Sequence, residues 1–244
     1  MKKSWLSQRW FYIGTILYCI LGYTTLGIGE KWAEFFYQED HYFENVGAIS
    51  LFIASVISFN VFLRAMKSRS QTGIHWVKLL VYLSLAFLYF FGAGEEISWG
   101  QRIFGIEEPA SLAEQNTQGE LNIHNLAIFE NSKFIKADSV FNVFWFSFAV
   151  LIPFTSLLWK GFEKFAGKFM PIVHWGIGLL FLFNYLSAQV AERLYASVYN
   201  FSAIPFIQAV QEIKESNYEF LYIFVALYVL WDFVSAVNEK PIVK

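Results

Sequence analysis

Residues 76–94 read WVKLLVYLSLAFLYFFGAG, and residues 95–102, which follow directly, read EEISWGQR. The first stretch is about the ~20 residues that cross a ~30 Å hydrocarbon core as a helix, with a single charge, Lys78, near its start. The second sets two acids, an amide and an arginine at its mouth. Ionisable groups at that depth are costly to bury and face the protein interior or water, so they mark a functional site by default. Apolar runs of similar length recur at about 10 to 29, 46 to 66, 139 to 159, 170 to 188 and 218 to 237. Composition agrees, because 56% hydrophobic residues, 28 Phe and a mean hydropathy of +0.42 lie far from a soluble domain. The expectation is an all-α integral membrane protein, a single transmembrane domain over 1–244 folded as a six-helix bundle.

The run at 10 to 29 follows Lys2, Lys3 and Arg9 as a secretory signal would, and Gly27-Ile28-Gly29 offers a small-x-small site. It exceeds the roughly 7 to 15 apolar residues of a cleavable signal, which predicts a retained first helix. Short cytoplasmic loops collect Lys and Arg, while acids have little say in insertion. With the N-terminus inside, the inner side receives Lys2, Lys3, Arg9, Arg64, Lys67, Arg69, Lys78, Lys160, Lys164, Lys168, Lys240 and Lys244, but only Glu163, Asp232 and Glu239 of the acids. Both termini are then cytoplasmic, the location is the inner (cell) membrane, and the polar clusters fall on the extracytoplasmic side.

The outer segments 95 to 138 and 189 to 217 are too long for simple connections in a bundle. Leu112, Leu121, Ile123, Leu126, Ile128 and Phe129 recur among their polar residues, which predicts interfacial or re-entrant helices. Pro109 ahead of Ala110-Ser111-Leu112 suits a helix start. Glu95 shares one helical face with Ser98, Trp99 and Arg102, while Glu96 points elsewhere. Asn116, Gln118, Glu120, Asn122, His124 and Asn125 form a second cluster. A spacing of four puts Glu120 and His124 on one face in strand or helix alike. Such a carboxylate and imidazole suit a divalent metal ion or an acid/base pair. Asn184, Gln189, Glu192 and Arg193 close the fifth run and mirror the Glu95 to Arg102 stripe, so crossed ion pairs of Glu95 or Glu96 with Arg193, and of Glu192 with Arg102, would join two helices. Glu39, Asp40, His41 and Glu44 precede the second run, and Glu212, Glu215 and Glu219 open the sixth.

Each cluster has a plainer reading. Polar side chains act as glue between transmembrane helices at about 0.6 to 2 kcal/mol per contact, a lone histidine in a polar loop commonly only hydrogen-bonds, and acidic runs are usually solvated. Trp10, Trp76, Trp175 and Trp231, near run ends, read as interface anchors. Cys19 has no partner in the chain for a disulfide. No Gly-rich phosphate loop, heptad array or basic stripe for nucleic acid is present.

His41 and His124 are too few on the outer side for the multi-histidine zinc site of the seven-helix ceramidase and adiponectin-receptor hydrolases. Glu95-Glu96 followed by Arg102 is similar to the paired-glutamate motif of CAAX-type intramembrane proteases, but the arginine comes later here and their Phe-x-x-x-His motif is missing, Phe169 preceding His174 by five. The pattern Glu-Glu-Ile-Ser-Trp-Gly-Gln-Arg at 95 to 102, followed by Asn-x-Gln-x-Glu-x-Asn-x-His-Asn at 116 to 125, resembles a family of uncharacterised bacterial polytopic membrane proteins. The resemblance covers under a tenth of the chain and implies a shared site without an activity.

The expected function is that of a membrane-embedded enzyme catalysing hydrolysis or group transfer on a lipid-linked or membrane substrate. Glu95, Glu96, Glu120 and His124 would be catalytic, with Glu96, Glu120 and His124 as ligands if a divalent metal serves as cofactor. Gln101, Arg102, Asn116, Gln118, Asn125, Gln189, Glu192 and Arg193 would bind substrate, the arginines holding an anionic group. The alternatives are a proton- or cation-coupled transporter or channel, in which the same acids carry the ion, and a membrane sensor or assembly subunit.

Overall fold

The computed structural model describes residues 6, 8–28, 32–38, 41–105, 137–199 and 204–238. In chain order the helices are α1 (Arg9–Thr24), α2 (Ala33–Tyr37), α3 (Tyr42–Thr72), α4 (Trp76–Glu96), α5 (Gln101–Phe104), α6 (Ala137–Trp145), α7 (Ile152–Leu158), α8 (Lys160–Phe169), α9 (Trp175–Tyr195) and α10 (Phe206–Asn238). A 3-10 turn, Thr25–Gly27, extends α1, and a π-helical turn, Phe146–Leu151, joins α6 to α7. No strand occurs among the described residues.

Five helical stretches are long and apolar enough to cross a membrane, namely those built on α1, α3, α4, α6 with α7, and α10. The fifth expected run corresponds to α9, which has 21 residues, but Asn184, Gln189, Glu192 and Arg193 lower its hydropathy and keep it out of that set. Successive long segments run in opposite directions. Tyr89 of α4 meets Tyr222 of α10 with ring centroids 5.0 Å apart, Phe11 of α1 meets Phe224 at 4.7 Å, and His174, ahead of α9, meets Tyr228 at 5.9 Å. One end of the bundle therefore gathers the ends of α1, α4 and α9 with the starts of α3, α6 and α10. The opposite end gathers Arg9, His75, Lys160, His174 and Asp232.

The boundaries differ from the sequence reading most in the last two helices. α9 continues to Tyr195 and α10 begins at Phe206, so the outer segment expected at 189 to 217 is mostly helix. The polar residues there extend amphipathic helices beyond the apolar run, and a hydropathy window cannot register such extensions. The segment 106–136, with the expected helix start at Pro109, lies outside the described residues; α2 is a short helix within the first outer connection.

Three local signals shape the helices. Gly73, in the left-handed region at φ 65°, ends α3 by donating its N–H to the Arg69 carbonyl at 2.9 Å. His75 and His174 cap α4 and α9, each Nδ1 accepting a backbone N–H two residues on, from Val77 at 3.2 Å and Gly176 at 3.1 Å. Pro153 has no N–H for the Ala149 carbonyl, and its ring crowds that oxygen, which accounts for the π turn just before it. The displaced Ala149 carbonyl lies against Gly178 of α9, where an added Cβ would overlap it.

The core holds an aromatic centre, where Trp145 stacks on Tyr218 at 5.1 Å and Phe181 stacks on Tyr218 at 5.5 Å. Satellite clusters lie toward each end, around Tyr37 and Ile213 and around Val61 and Phe233. Phe87, Phe52, Val56 and Leu186 are exposed, an outward apolar surface suited to lipid.

Gly178→Ala should cost about 1–3 kcal/mol through overpacking, read as a lowered midpoint in detergent thermal unfolding, while Gly14→Ala, where a Cβ meets nothing within 4 Å, should leave the midpoint in place. Burial lowers the pKa of His174 from its usual range, so the fold favours the neutral ring that can accept at Nδ1. That contribution is complete above the unfolded value of about 6.5 and is lost as pH falls through the lower folded value. His174→Asn, which keeps a capping acceptor and does not titrate, should remove this part of the acid sensitivity.

Candidate functional site

The end of α4 and the first half of α10 meet over the first turns of α3. Glu219 is the fourteenth residue of α10 and only 5% exposed. Its carboxyl lies close to that of Glu96, the last residue of α4, and the charges of Glu215 and Glu212 also act on it. Spacings of three and four put Glu212, Glu215 and Glu219 on one face of α10. Gly47 of α3 makes the space, because a Cβ there would overlap the Glu219 carboxyl. Two ionised carboxylates at such range repel each other, and a proton on either one would let them hydrogen-bond.

Glu95 has a different partner. Its Oε1 accepts the Trp99 indole N–H at 2.6 Å. The chain turns back sharply after α4, with Ser98, Trp99 and Gly100 all at positive φ, 46°, 53° and 75°. Two non-glycine residues in the left-handed region store strain of the kind that gathers at functional sites. The turn lays the Trp99 ring against Gly94, where a Cβ would collide with it. The continuous helical stripe expected from Glu95 through Arg102 is therefore interrupted: Trp99 reaches Glu95 by folding back, and Gln101 and Arg102 belong to the separate helix α5.

Several buried polar atoms lack a partner. Tyr89, Tyr218 and Tyr222 Oη, Ser216 Oγ and Glu219 Oε2 have no hydrogen-bond partner among the described residues. Buried polar atoms are normally paired, so four such hydroxyls and one oxygen of the Glu219 carboxyl leave hydrogen-bonding capacity unused in this interior. The neighbouring interface is the reverse. Tyr23 of α1 donates to Asn184 Oδ1 at 2.8 Å, Asn217 Nδ2 donates to the same oxygen at 3.0 Å, and Asn184 Nδ2 donates to the Lys214 carbonyl at 2.9 Å. That network ties α1, α9 and α10 and is structural in character.

The structure separates residues that the sequence had grouped. Glu96 faces α10, not α9, so the expected crossed pairing with Arg193 is replaced by the carboxyl pair. Glu192 and Arg193 are exposed and Gln189 is half-buried on α9. Gln101 is half-buried on α5, and the Arg102 side chain is outside the described set. Asn116, Gln118, Glu120, His124 and Asn125 lie outside the described residues. Among the described residues no group of three or more His, Cys, Asp or Glu is placed to hold a metal ion. Sequence reasoning had treated Glu219 as part of a solvated acidic face and had given Gly47 and the three tyrosines no role. The available signal was the three-and-seven spacing of Glu212, Glu215 and Glu219 running into an apolar helix.

Wild-type protein should show the infrared carbonyl band of a protonated carboxylic acid at neutral pH, and both Glu219→Gln and Glu96→Gln should abolish it; a band unchanged in both would rule out the shared proton. Gly47→Ala should displace the Glu219 carboxyl and cost about 1–3 kcal/mol in thermal unfolding. No family model, curated protein or solved structure matches this chain, so the reading of the site rests on its own side chains.

Proposed function

We propose that this membrane protein is an enzyme that uses the Glu96–Glu219 pair as acid and base in hydrolysis or group transfer on a lipid-linked or membrane substrate. The observation that carries the reading is the close approach of these two carboxyls within the helical bundle. Two carboxyls that hold one proton between them supply both halves of acid/base catalysis. The ionised group takes a proton from the attacking water or hydroxyl as its oxygen bonds to the electrophilic centre. The protonated group gives its proton to the leaving oxygen as that bond breaks, and the pair ends the cycle with the same single proton. Gln101 on α5, Glu120, His124 and Arg102 are the candidates to complete the site.

In this reading α9 is a sixth crossing, both termini are cytoplasmic, and the protein sits in the inner cell membrane with the carboxylate end outward. The support is the charge pattern, with Lys160, Lys164 and Lys168 at one end of the bundle and Glu96, Glu212, Glu215 and Glu219 at the other. Proton-coupled transport is a second reading, favoured by Lys78 and Asp232, charged residues that line a cavity at the opposite end, with the Tyr89 and Tyr222 hydroxyls lying between the two ends.

Wild-type protein in nanodiscs of mixed polar lipids should release a cleaved or transferred lipid product, detected by lipid mass spectrometry. Glu96→Gln and Glu219→Gln should each lower the rate by about 100-fold or more, while Asp232→Asn leaves it unchanged. Equal product with wild type and both glutamine variants overturns the enzyme reading. Dissipation of a pH gradient in proteoliposomes that is lost in Asp232→Asn as well as Glu219→Gln establishes the transport reading instead.

A further inference from the structure

We propose that the basic end of the bundle holds a second site, independent of the carboxyl pair, that takes a phosphate ester bearing a primary ammonium: the headgroup of an aminophospholipid. A cavity of about 250 Å³ opens there between α4, α7, α8, α9 and α10. Drug-sized ligands occupy roughly 300–1,000 Å³, so this space suits a headgroup whose chains remain outside. Its chemistry comes from Lys78, Lys160, Ser156, His174, Glu163 and Asp232, all of which line it.

Both charge signs are present: Lys78 and Asp232 attract each other across the cavity, and its donors have further protons to give. Lys78 Nζ gives one hydrogen bond, to the Gly167 carbonyl at 2.9 Å, and an ammonium has three protons to donate. Lys160 pairs with Glu163 at 2.8 Å across an exposed edge, which leaves its other protons available. Ser156 is 3% exposed and its hydroxyl has no partner among the described residues. A hydroxyl that could have bonded back to its own helix, yet is unpaired at a cavity wall, is placed to donate to a ligand oxygen. Neutral His174 accepts the Gly176 N–H at Nδ1, so its proton is on Nε2, a further donor.

These donors suit the phosphate oxygens. A phosphate alone would leave the Asp232 and Glu163 carboxylates facing an anion, and an amine alone would face two lysines. A zwitterion satisfies both sets, and Asp232 favours a primary ammonium, which donates hydrogen bonds, over a quaternary one, which has none to give. Outside the cavity, Leu158 is 85% exposed and Trp159 and Phe165 are also exposed, an apolar wall on which acyl chains would lie.

The test is native mass spectrometry of the full chain released from nanodiscs holding equal amounts of phosphatidylethanolamine, phosphatidylcholine and phosphatidylglycerol. The expected result is selective retention of one phosphatidylethanolamine. Retention should fall about tenfold or more in Lys78→Gln and in Ser156→Ala, and be recovered in part by Lys78→Arg, which shows that the variant fold is intact. Soluble phosphoethanolamine titrated onto protein held in phosphatidylcholine distinguishes the sources. If it binds as tightly as the lipid displaces it, the site is for the free ester; if only the lipid binds, the headgroup is read together with its chains. Equal retention of all three lipids, or wild-type retention in both Lys78→Gln and Ser156→Ala, overturns the proposal. Glu219→Gln should retain the lipid as wild type does, so failure at the carboxyl pair and failure here are separate results.

Discussion

A carboxyl group more than three turns into a largely apolar helix must either share a proton or be hydrogen-bonded, because an unpaired charge in that setting costs several kcal/mol. Around Glu219 this requirement organises three helices. α4 ends where Glu96 can meet it, α3 carries a glycine where any side chain would displace it, and α10 keeps Glu212 and Glu215 on the same face. The sharp turn after Glu96 belongs to the same arrangement, since it holds Glu95 against Trp99 and leaves Glu96 to face α10.

Two kinds of polar contact divide the interior. The Tyr23, Asn184 and Asn217 network closes on itself, each amide bonded to a neighbour or to a carbonyl, and such contacts hold transmembrane helices together at modest energy each. The hydroxyls near Glu219 are unclosed. Buried networks that are complete rigidify a core, whereas incomplete ones have capacity for a proton, water or substrate. The closed network lies at the α1, α9 and α10 interface and the Glu96–Glu219 contact where α4 meets α10, so α10 serves both.

Much of the fold was legible because apolar length is a strong signal: the runs at 46 to 66, 76 to 94 and 139 to 159 match α3, α4 and the α6–α7 unit within a few residues. What hydropathy could not show was the polar continuation of helices. α10 starts at Phe206, not near 218, because Gln208, Gln211, Glu212 and Glu215 lie on an amphipathic extension that packs through Ala209, Val210 and Ile213. That hidden extension is also why Glu219 looked like the edge of a helix when it is well inside one. Glu95 and Glu96 stood out in the sequence as candidates, since ionisable groups at the end of an apolar run are costly to bury. Their partners were not, because helical periodicity assumes that Trp99 continues the face of Glu95, and the left-handed turn at Ser98 and Trp99 breaks that assumption. Gly47 had no signal of its own; its role exists only in the presence of a distant side chain.

The lengths of α3 and α10 carry one more consequence. With 31 and 33 residues, these neighbours run in the same direction and extend about 45–50 Å at 1.5 Å per residue, against a hydrocarbon thickness of about 30 Å. Such a pair accommodates membranes of different thickness by tilting or by shifting along the normal, at a small cost per ångström. The fold fixes Glu219 relative to Glu96, but it leaves open how far both lie below the headgroups. Lipid chain length thus becomes a variable of the site itself: a thin bilayer brings the carboxyl pair toward water and phosphate, and a thick one draws it into hydrocarbon.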